Sequence, residues 1–537
     1  MFIVKYYLVI AMVCLAAAVA VPNLAISAFF VWCFLSFSLV SCAYVFDIPA
    51  IFRKRQDGKI HWWIRWAFIP FLLCVKFYNA WAIKRDKVDP IQQVAPNLYV
   101  SRRLFRADLA FLESQNISCI LDVTAEFSGL ESAMTNQQFH YLTTPVLDHK
   151  VPKVSHLVHT LNWIDTQLQQ SRSVVVHCAL GRGRSVFVVA AYLLSKDPSL
   201  SVTEALQKIN AVRTSAKLNR FQLDVLKALR QEGVLALESA CPLIANPVSG
   251  GGKWALCEQQ VIRELSQKYP LNIRLTTPDV SAQALAEEAL STGCKELIVS
   301  GGDGTVSEVA SVVAEQPVSL GIIPLGTANA LCHVLYGVAS KVSPVDKACD
   351  AILSGNHRAI DVAYCNGKLV LLVVGIGFEH SMIDYAQREK KNQSGQFAYL
   401  TGFFNAVVDG KKQRFQTQID DQEATEMDLQ SLVVANTSPF STVLAQGGGM
   451  PAPDDGKLHI SYLADTPDLG QRLFALSDIT ATSLGLQKQS QAFDYSVART
   501  VKITSDDPIH YVVDGEAYQA DKVAVSIKQK SLTVCIP

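Results

Sequence analysis

Residues 6–46 contain no Asp, Glu, Lys or Arg. The 537-residue chain as a whole carries no net charge, with 48 Lys+Arg against 48 Asp+Glu. That balance excludes a nucleic-acid binder working through bulk positive charge. Cys-x-x-Cys pairs and zinc-type Cys/His spacings are also missing, although there are 13 cysteines, so a zinc-stapled fold is excluded. There is no internal repeat and no low-complexity tract, which removes solenoids and disordered tails. What remains is 50% hydrophobic and 18% charged, an ordinary globular composition behind an unusually apolar start.

The uncharged run of 41 residues would extend about 60 Å as helix, against a hydrocarbon core of about 30 Å, so it suits two spans. Pro22-Asn23 divides it into 6–21 and 24–46. A signal peptide would leave the second run unexplained. Residues 53–87 then hold nine Lys/Arg against two Asp, a net of +7. Positive loops stay cytoplasmic, so both ends of the hairpin are read as inside, at an inner or plasma membrane, and the +7 segment, Lys54 included, is expected to add attraction to anionic headgroups. A third apolar stretch, 60–83, has Trp62, Trp63, Trp66 and Trp81 near its ends, Pro70 within it and Lys76 inside. It reads as an interfacial or re-entrant segment, with a third span as the alternative. Residues 1–88 are thus an anchor, and the remainder is expected to fold without residues 1–87.

Ser173–Val176 reads as a buried strand, followed by His177-Cys178-Ala179-Leu180-Gly181-Arg182-Gly183-Arg184-Ser185 and an apolar helix. Strand, glycine-containing loop and helix is an arrangement that aims backbone N–H groups at an anion. Such a nest also favours the thiolate form of a cysteine, which is a nucleophile toward a phosphate monoester. Arg184 suits two phosphate oxygens, and Ser185 the sulfur as it leaves. The motif His-Cys-x5-Arg-Ser, with Asn97-Leu98-Tyr99 and the strand Ile117–Val123, resembles the Cys-based protein tyrosine and dual-specificity phosphatases over residues 90–232. The resemblance implies a phosphate loop over 179–183 and an acid on a loop roughly thirty residues before the cysteine, where Asp148 stands. Asp122 is the competing acid, with a structural role preferred, and Glu126 a candidate for orienting the arginine. His177 is placed to orient the thiolate loop. The loop carries Arg182 and no Lys, and looks closest to small phosphatases acting on phosphatidylglycerophosphate-type lipids. Phosphoprotein stays open as substrate.

Beyond Gly233, three strand–loop–helix units follow. Their loops are Asn246-Pro-Val-Ser249-Gly250-Gly-Gly-Lys253, Gly301-Gly302-Asp303-Gly304-Thr305-Val306-Ser307 and Leu325-Gly-Thr327-Ala-Asn329-Ala330. Glycines at strand C-termini describe a doubly wound sheet with a ligand at its crevice. The three motifs resemble the diacylglycerol kinase catalytic family, which includes bacterial lipid kinases and sphingosine kinases, over about 241–537. The resemblance implies an ATP-binding α/β lobe over 241–360 and a lipid-binding β-sandwich lobe over 361–537. Asn246, Ser249, Gly250, Thr276, Gly301 to Ser307 and Thr327 would hold ATP. Asp514 and Glu516, in Val513-Asp-Gly-Glu516, lie where the base is expected, with Glu516 preferred and Asp514 nearer Mg²⁺. Asp455 is a candidate Mg²⁺ ligand, and Asp303 a further one. Gly447-Gly448-Gly449 completes the family's signatures. Ala330 departs from the Asp found there in many bacterial members, which bears on substrate.

The whole chain therefore reads as an α/β protein: a transmembrane helical hairpin, an α/β Cys-phosphatase domain and a two-lobed lipid kinase, with ATP, Mg²⁺ and membrane lipids as partners and no nucleic acid. The alternative is a phosphoprotein phosphatase with a non-catalytic lipid- or nucleotide-binding module. A soluble NAD-kinase type fits the membrane hairpin poorly.

Overall fold

A computed structural model describes residues 2–130, 139–337, 340, 342–377, 413–437, 451–464 and 494–537. Two compact units emerge: Met1–Ala240 with Gln259–Asn272, and Cys241–Glu258 with Ile273–Pro537.

The first unit opens with α1 (Phe2–Ala20) and α2 (Leu24–Phe46). They break where Pro22 removes a donor and Asn23 caps α2, its side chain accepting from Ala25 N and Ile26 N. Among the described residues these are the two helices long and apolar enough to cross a membrane. The 60–83 stretch is not one helix. It divides into α3 (Trp62–Ala67) and α4 (Ile69–Arg85), with Pro70 in the first turn of α4, where a missing N–H costs nothing.

Behind them stands a five-stranded sheet in the order β1-β2-β5-β3-β4. Its strands are β1 (Ile91–Ala95), β2 (Leu98–Ser101), β3 (Ile117–Asp122), β4 (His140–Thr143) and β5 (Ser173–His177). Only the β1–β2 pair is antiparallel. The helices are α5 (Leu109–Ser114), α6 (Val154–Gln169), α7 (Arg184–Lys196), α8 (Val202–Val212) and α9 (Arg220–Gln231). Central β5 is buried at every residue, as a continuous apolar run in a parallel sheet requires.

The second unit contains a sheet running β7 (Leu271–Leu275), β6 (Cys241–Ala245), β8 (Glu296–Gly301), β9 (Ser319–Pro324). It alternates with α10 (Lys253–Leu265), α11 (Ala282–Ser291), α12 (Asp303–Val313), α13 (Ala330–Tyr336) and α14 (Pro344–Ser354). Both β6–β8 and β8–β9 are parallel. The strands that follow are β10 (Asn356–Cys365), β11 (Lys368–Val370), β12 (Val373–Gly377), β13 (Gln413–Ile419), β14 (Thr425–Ala435), β15 (Leu458–Ala464), β16 (Asp494–Ala498), β17 (Thr500–Val513) and β18 (Glu516–Ile536). They pair antiparallel around a core that includes Val374, Phe415, Leu432, Ile460 and Val523. The separate sandwich lobe expected after residue 360 is corrected in one respect. At 21 residues β18 is too long for one layer: it pairs antiparallel with β17 and β10, then parallel with β9 through Thr533 and Val534. The sheet is therefore continuous from the nucleotide-type strands into the antiparallel ones. Gly447-Gly448-Gly449 lies outside the described residues.

Candidate active sites

The loop from β5 to α7 curls around the Cys178 sulfur. Gly181 N lies 3.2 Å and Ser185 Oγ 3.4 Å from Sγ, both donating. Gly181 must be glycine: its φ is +70°, and a Cβ there would lie 2.6 Å from Arg213 Nη2 and 2.7 Å from Arg102 N. Arg184, buried at the start of α7, reaches back under the loop. Its Nη1 and Nη2 donate to Glu126 Oε2 (2.9 Å) and Oε1 (2.8 Å), and Nη1 also to Val146 O (2.7 Å). Burial opposes the guanidinium charge, but Glu126 and then Asp148 outweigh it and hold its pKa above the ordinary value. Arg184 Nε is buried without a protein partner. That leaves a donor for an anion seated over the sulfur. Asp148 Oδ1 stands 3.3 Å from Arg184 Nη2, and its side chain is 46% exposed. Of Asp122, Glu126 and Asp148, only Asp148 is open to solvent.

Asp122 is different. It is wholly buried, accepting from Thr124 N (2.8 Å), Thr124 Oγ1 (2.7 Å), Tyr141 Oη (2.9 Å) and Lys54 Nζ (2.6 Å). Burial raises its pKa, but Lys54 and then His177 more than reverse this and hold the carboxyl far below its usual range. A carboxylate so held cannot donate a proton at neutral pH. His177 is buried, which lowers its pKa despite Asp122.

Arg182 does not project freely. It pairs with Asp86 at the end of α4, 2.9 Å away. Arg213, unremarked in the sequence, donates from Nε to Gly181 O (2.6 Å) and from Nη2 to Leu180 O (3.1 Å), bracing the phosphate loop. Lys54, expected to attract anionic headgroups, is instead 1% exposed against Asp122. No pattern in the sequence could separate it from its basic neighbours Arg53 and Arg55. The N-terminal segment also packs with this domain: Ala125 and Leu147 share a buried core with Val4, Phe37, Tyr44, Phe52 and Phe71.

In the second unit three loops converge. Ser249 Oγ accepts from Gly302 N (3.2 Å), Asn246 Nδ2 donates to Thr305 Oγ1 (3.0 Å), and Lys253 Nζ donates to Gly326 O (3.1 Å). A Cβ on Gly326 would lie 2.8 Å from Gly302 Cα, so two backbones meet where only glycine fits. Asp303 also organises the third loop. Its two oxygens accept from Asn329 N (2.9 Å) and Ala330 N (2.8 Å), fixing the left-handed Asn329 that starts α13. Gly304 and Val306 lie in the first turn of α12, and Ser307 in its second. Thr276 follows β7, its N donating to Ala245 O (2.9 Å), while Thr327 is exposed in the third loop.

Asp514 is half-buried at φ +47° in the β17–β18 turn, its carboxylate accepting from Leu371 N, Leu372 N and Val373 N. Burial pushes its carboxyl up to about 6 against those three donors, and nearby Asp303 adds to the rise. Glu516 is exposed and accepts from Tyr518 Oη at 2.5 Å. Asp455 accepts from Lys457 N (3.0 Å) and faces His459 Nε2 (2.8 Å). Among the described residues no cluster of three close His, Cys, Asp or Glu ligand atoms includes Asp303, Asp455 or Asp514. Asp303 shapes the loop that starts α13.

Asp514 predicts a pH effect. Its folded-state pKa lies above the unfolded value, so its contribution to stability is full below about pH 4 and is lost as pH rises through 6. Asn at 514 cannot ionise. Between pH 4 and 7.5, denaturant unfolding should show the wild type losing up to about 3 kcal/mol relative to Asp514→Asn. Parallel curves would mean that Asp514 titrates normally.

A dual specificity phosphatase catalytic domain model matches residues 98–231, and a diacylglycerol kinase catalytic domain model matches 241–365. The uncharacterized protein sll0036 of Synechocystis sp. is 33% identical over 310 residues, spanning 55% of this chain and 70% of its own. A Pseudomonas aeruginosa protein named "Probable lipid kinase YegS-like" is 28% identical over 275 residues, 50% of this chain and 85% of its own. A solved diacylglycerol kinase from Bacillus anthracis str. Sterne superimposes with a TM-score of 0.41 at 19% identity, over 56% of this chain and 97% of its own. The chain belongs to the family of the Synechocystis protein and joins a dual specificity phosphatase catalytic domain to a diacylglycerol kinase catalytic domain in one polypeptide.

Proposed function

We propose that the chain is a membrane-tethered bifunctional enzyme: a Cys-dependent phosphomonoesterase and an ATP-dependent lipid kinase acting on a diacylglycerol-like hydroxyl. The observation that carries the reading is the Cys178 loop, where Gly181 N and Ser185 Oγ donate to the sulfur and the buried Arg184 keeps an unpartnered Nε. Cys178 attacks phosphorus, Arg184 holds the equatorial oxygens, and Asp148 protonates the leaving oxygen. Ser185 supports the sulfur as it leaves phosphorus when water completes the cycle.

A lipid phosphomonoester is favoured over a phosphoprotein by the shared core. Ala125 and Leu147, next to Glu126 and Asp148, pack with the apolar hairpin, so a hairpin in the bilayer keeps the phosphate site at the membrane surface. The two spans are supported by length and apolarity.

On the kinase side, Asn246, Ser249 and the Gly301–Ser307 loop surround the nucleotide phosphates. Glu516, solvent-facing, is the base for the lipid hydroxyl, since the Asp514 oxygens are already held by three N–H groups. One observation favours the binding-module alternative: both Asp303 oxygens are taken by backbone N–H groups. Asp303→Ala should therefore weaken ATP binding as well as turnover, by releasing residues 326–331. Calorimetry with Mg-ATP beside phosphatidate formation in mixed micelles reads both. A wild type that binds Mg-ATP but phosphorylates no diacylglycerol, monoacylglycerol or sphingoid base would establish the binding module instead.

Asp148→Asn should slow hydrolysis of an alkyl or lipid phosphate about 10²-fold, and an activated aryl phosphate much less, because its leaving group needs no proton. Equal rates on both with the variant would place the acid elsewhere.

A further inference from the structure

Lys54 lies between the apolar hairpin and α3, 68 residues before Asp122. Its Nζ donates to Asp122 Oδ2 (2.6 Å), Thr124 O (2.8 Å) and Thr124 Oγ1 (3.1 Å), which uses all three ammonium protons. Both side chains are buried, 1% and 0% exposed. The segment carrying Lys54 is itself fixed. Lys54 bridges to Ile60, Arg55 N donates to Lys59 O (2.9 Å), and Gly129 N donates to Gly58 O (2.8 Å).

What Lys54 grips is the turn that feeds the phosphate site. Asp122 ends β3 opposite His177, the residue before the nucleophile. Thr124 follows, and Glu126, two residues on, makes the fork that holds Arg184. The turn is thus clamped near its start and middle by the hairpin-proximal segment, and at its end it sets the guanidinium. A buried ammonium is costly without such partners. Burial lowers the Lys54 pKa, with Asp122 acting against that.

We infer that Lys54 is a positioning residue of the phosphatase centre. Through Asp122 and Thr124 it holds the 122–126 turn that aligns Glu126 and Arg184, so the segment beside the membrane completes the anion site. The inference rests on the phosphatase reading.

The test uses the full chain in detergent micelles, with aryl phosphate as substrate and vanadate as an oxyanion probe bound in calorimetry. Lys54→Met should lower kcat/KM by about 30-fold and weaken vanadate by about 10-fold, as expected when a catalytic group is slightly misplaced. Lys54→Met/Asp122→Asn leaves no buried charge unpaired. It should melt close to the wild type and regain part of the activity, yet still bind vanadate several-fold more weakly. That last readout would not move if Lys54 only supplied stability. Wild-type kinetics and vanadate affinity in either folded variant would overturn the inference, as would failure of both variants to fold. An inactive wild type whose vanadate binding weakens in Lys54→Met would sink the phosphatase reading, and keep only the part of the inference by which Lys54 positions the anion site. A wild type that binds no vanadate overturns both.

Discussion

Cys178→Ser should abolish phosphatase turnover, to within the detection limit, while leaving lipid phosphorylation within a few-fold of wild type. The sulfur sits where Gly181 N and Ser185 Oγ aim at it. A serine hydroxyl in its place stays protonated at neutral pH and has no adjacent base to activate it. The imidazole of the preceding residue, His177, has its Nδ1 beside Cys178 O at 3.5 Å and its Nε2 3.9 Å from Asp122 Oδ2, neither beside the sulfur. Without a thiolate there is no covalent intermediate, and the remaining anion site only binds. Affinity for sulfate, which forms no bond to the sulfur, should therefore survive, which separates loss of the nucleophile from loss of the fold. The kinase loops belong to the other compact unit, beginning at Cys241. Paired assays on one preparation, aryl phosphate release and phosphatidate formation, read both effects. Equal loss of both activities would mean that they share a site.

The two chemical loops were legible because their residues are contiguous. Cys178 to Ser185 encodes strand end, nest and helix start in nine letters when His177 is counted, and the glycine motifs after β6, β8 and β9 do the same. Glu126 was reachable as a candidate because it follows a recognisable strand. What the sequence hid is long-range pairing. Arg213 on Gly181 O, Asp86 on Arg182 and Lys54 on Asp122 join positions 32, 96 and 68 apart, with no spacing rule to connect them. Asp303 has a second role that the sequence did not show: a carboxylate in a glycine loop suggests a cation, and the fold adds two backbone N–H groups that it accepts from. The basic run after the hairpin misled for a related reason. Its average charge suits a lipid surface, and one member, Lys54, is turned inward where charge averages say nothing.

Deleting residues 1–87 should not yield a working soluble phosphatase, contrary to what the charge pattern alone suggests. The truncation removes Lys54 from a carboxylate that is fully buried. Breaking a buried pair by taking away one partner costs about 3–5 kcal/mol. That is a large part of the roughly 5–15 kcal/mol a domain has in total. The loss does not stop there. Gly129 N loses its acceptor Gly58 O, Arg182 loses Asp86, and Ala125 and Leu147 lose the aromatic core of Phe52, Phe71 and Tyr44. Each falls on the 122–130 turn, the acid loop or the phosphate loop, so the damage concentrates at the site. The expected result is an aggregating or poorly folded unit, with aryl phosphate hydrolysis reduced by at least about 10²-fold even though that substrate needs no membrane. Size-exclusion behaviour and aryl phosphate turnover of residues 88–537, beside the full chain in micelles, provide the measurement. A monodisperse truncated protein hydrolysing aryl phosphate at the full chain's rate would reduce residues 1–87 to a tether.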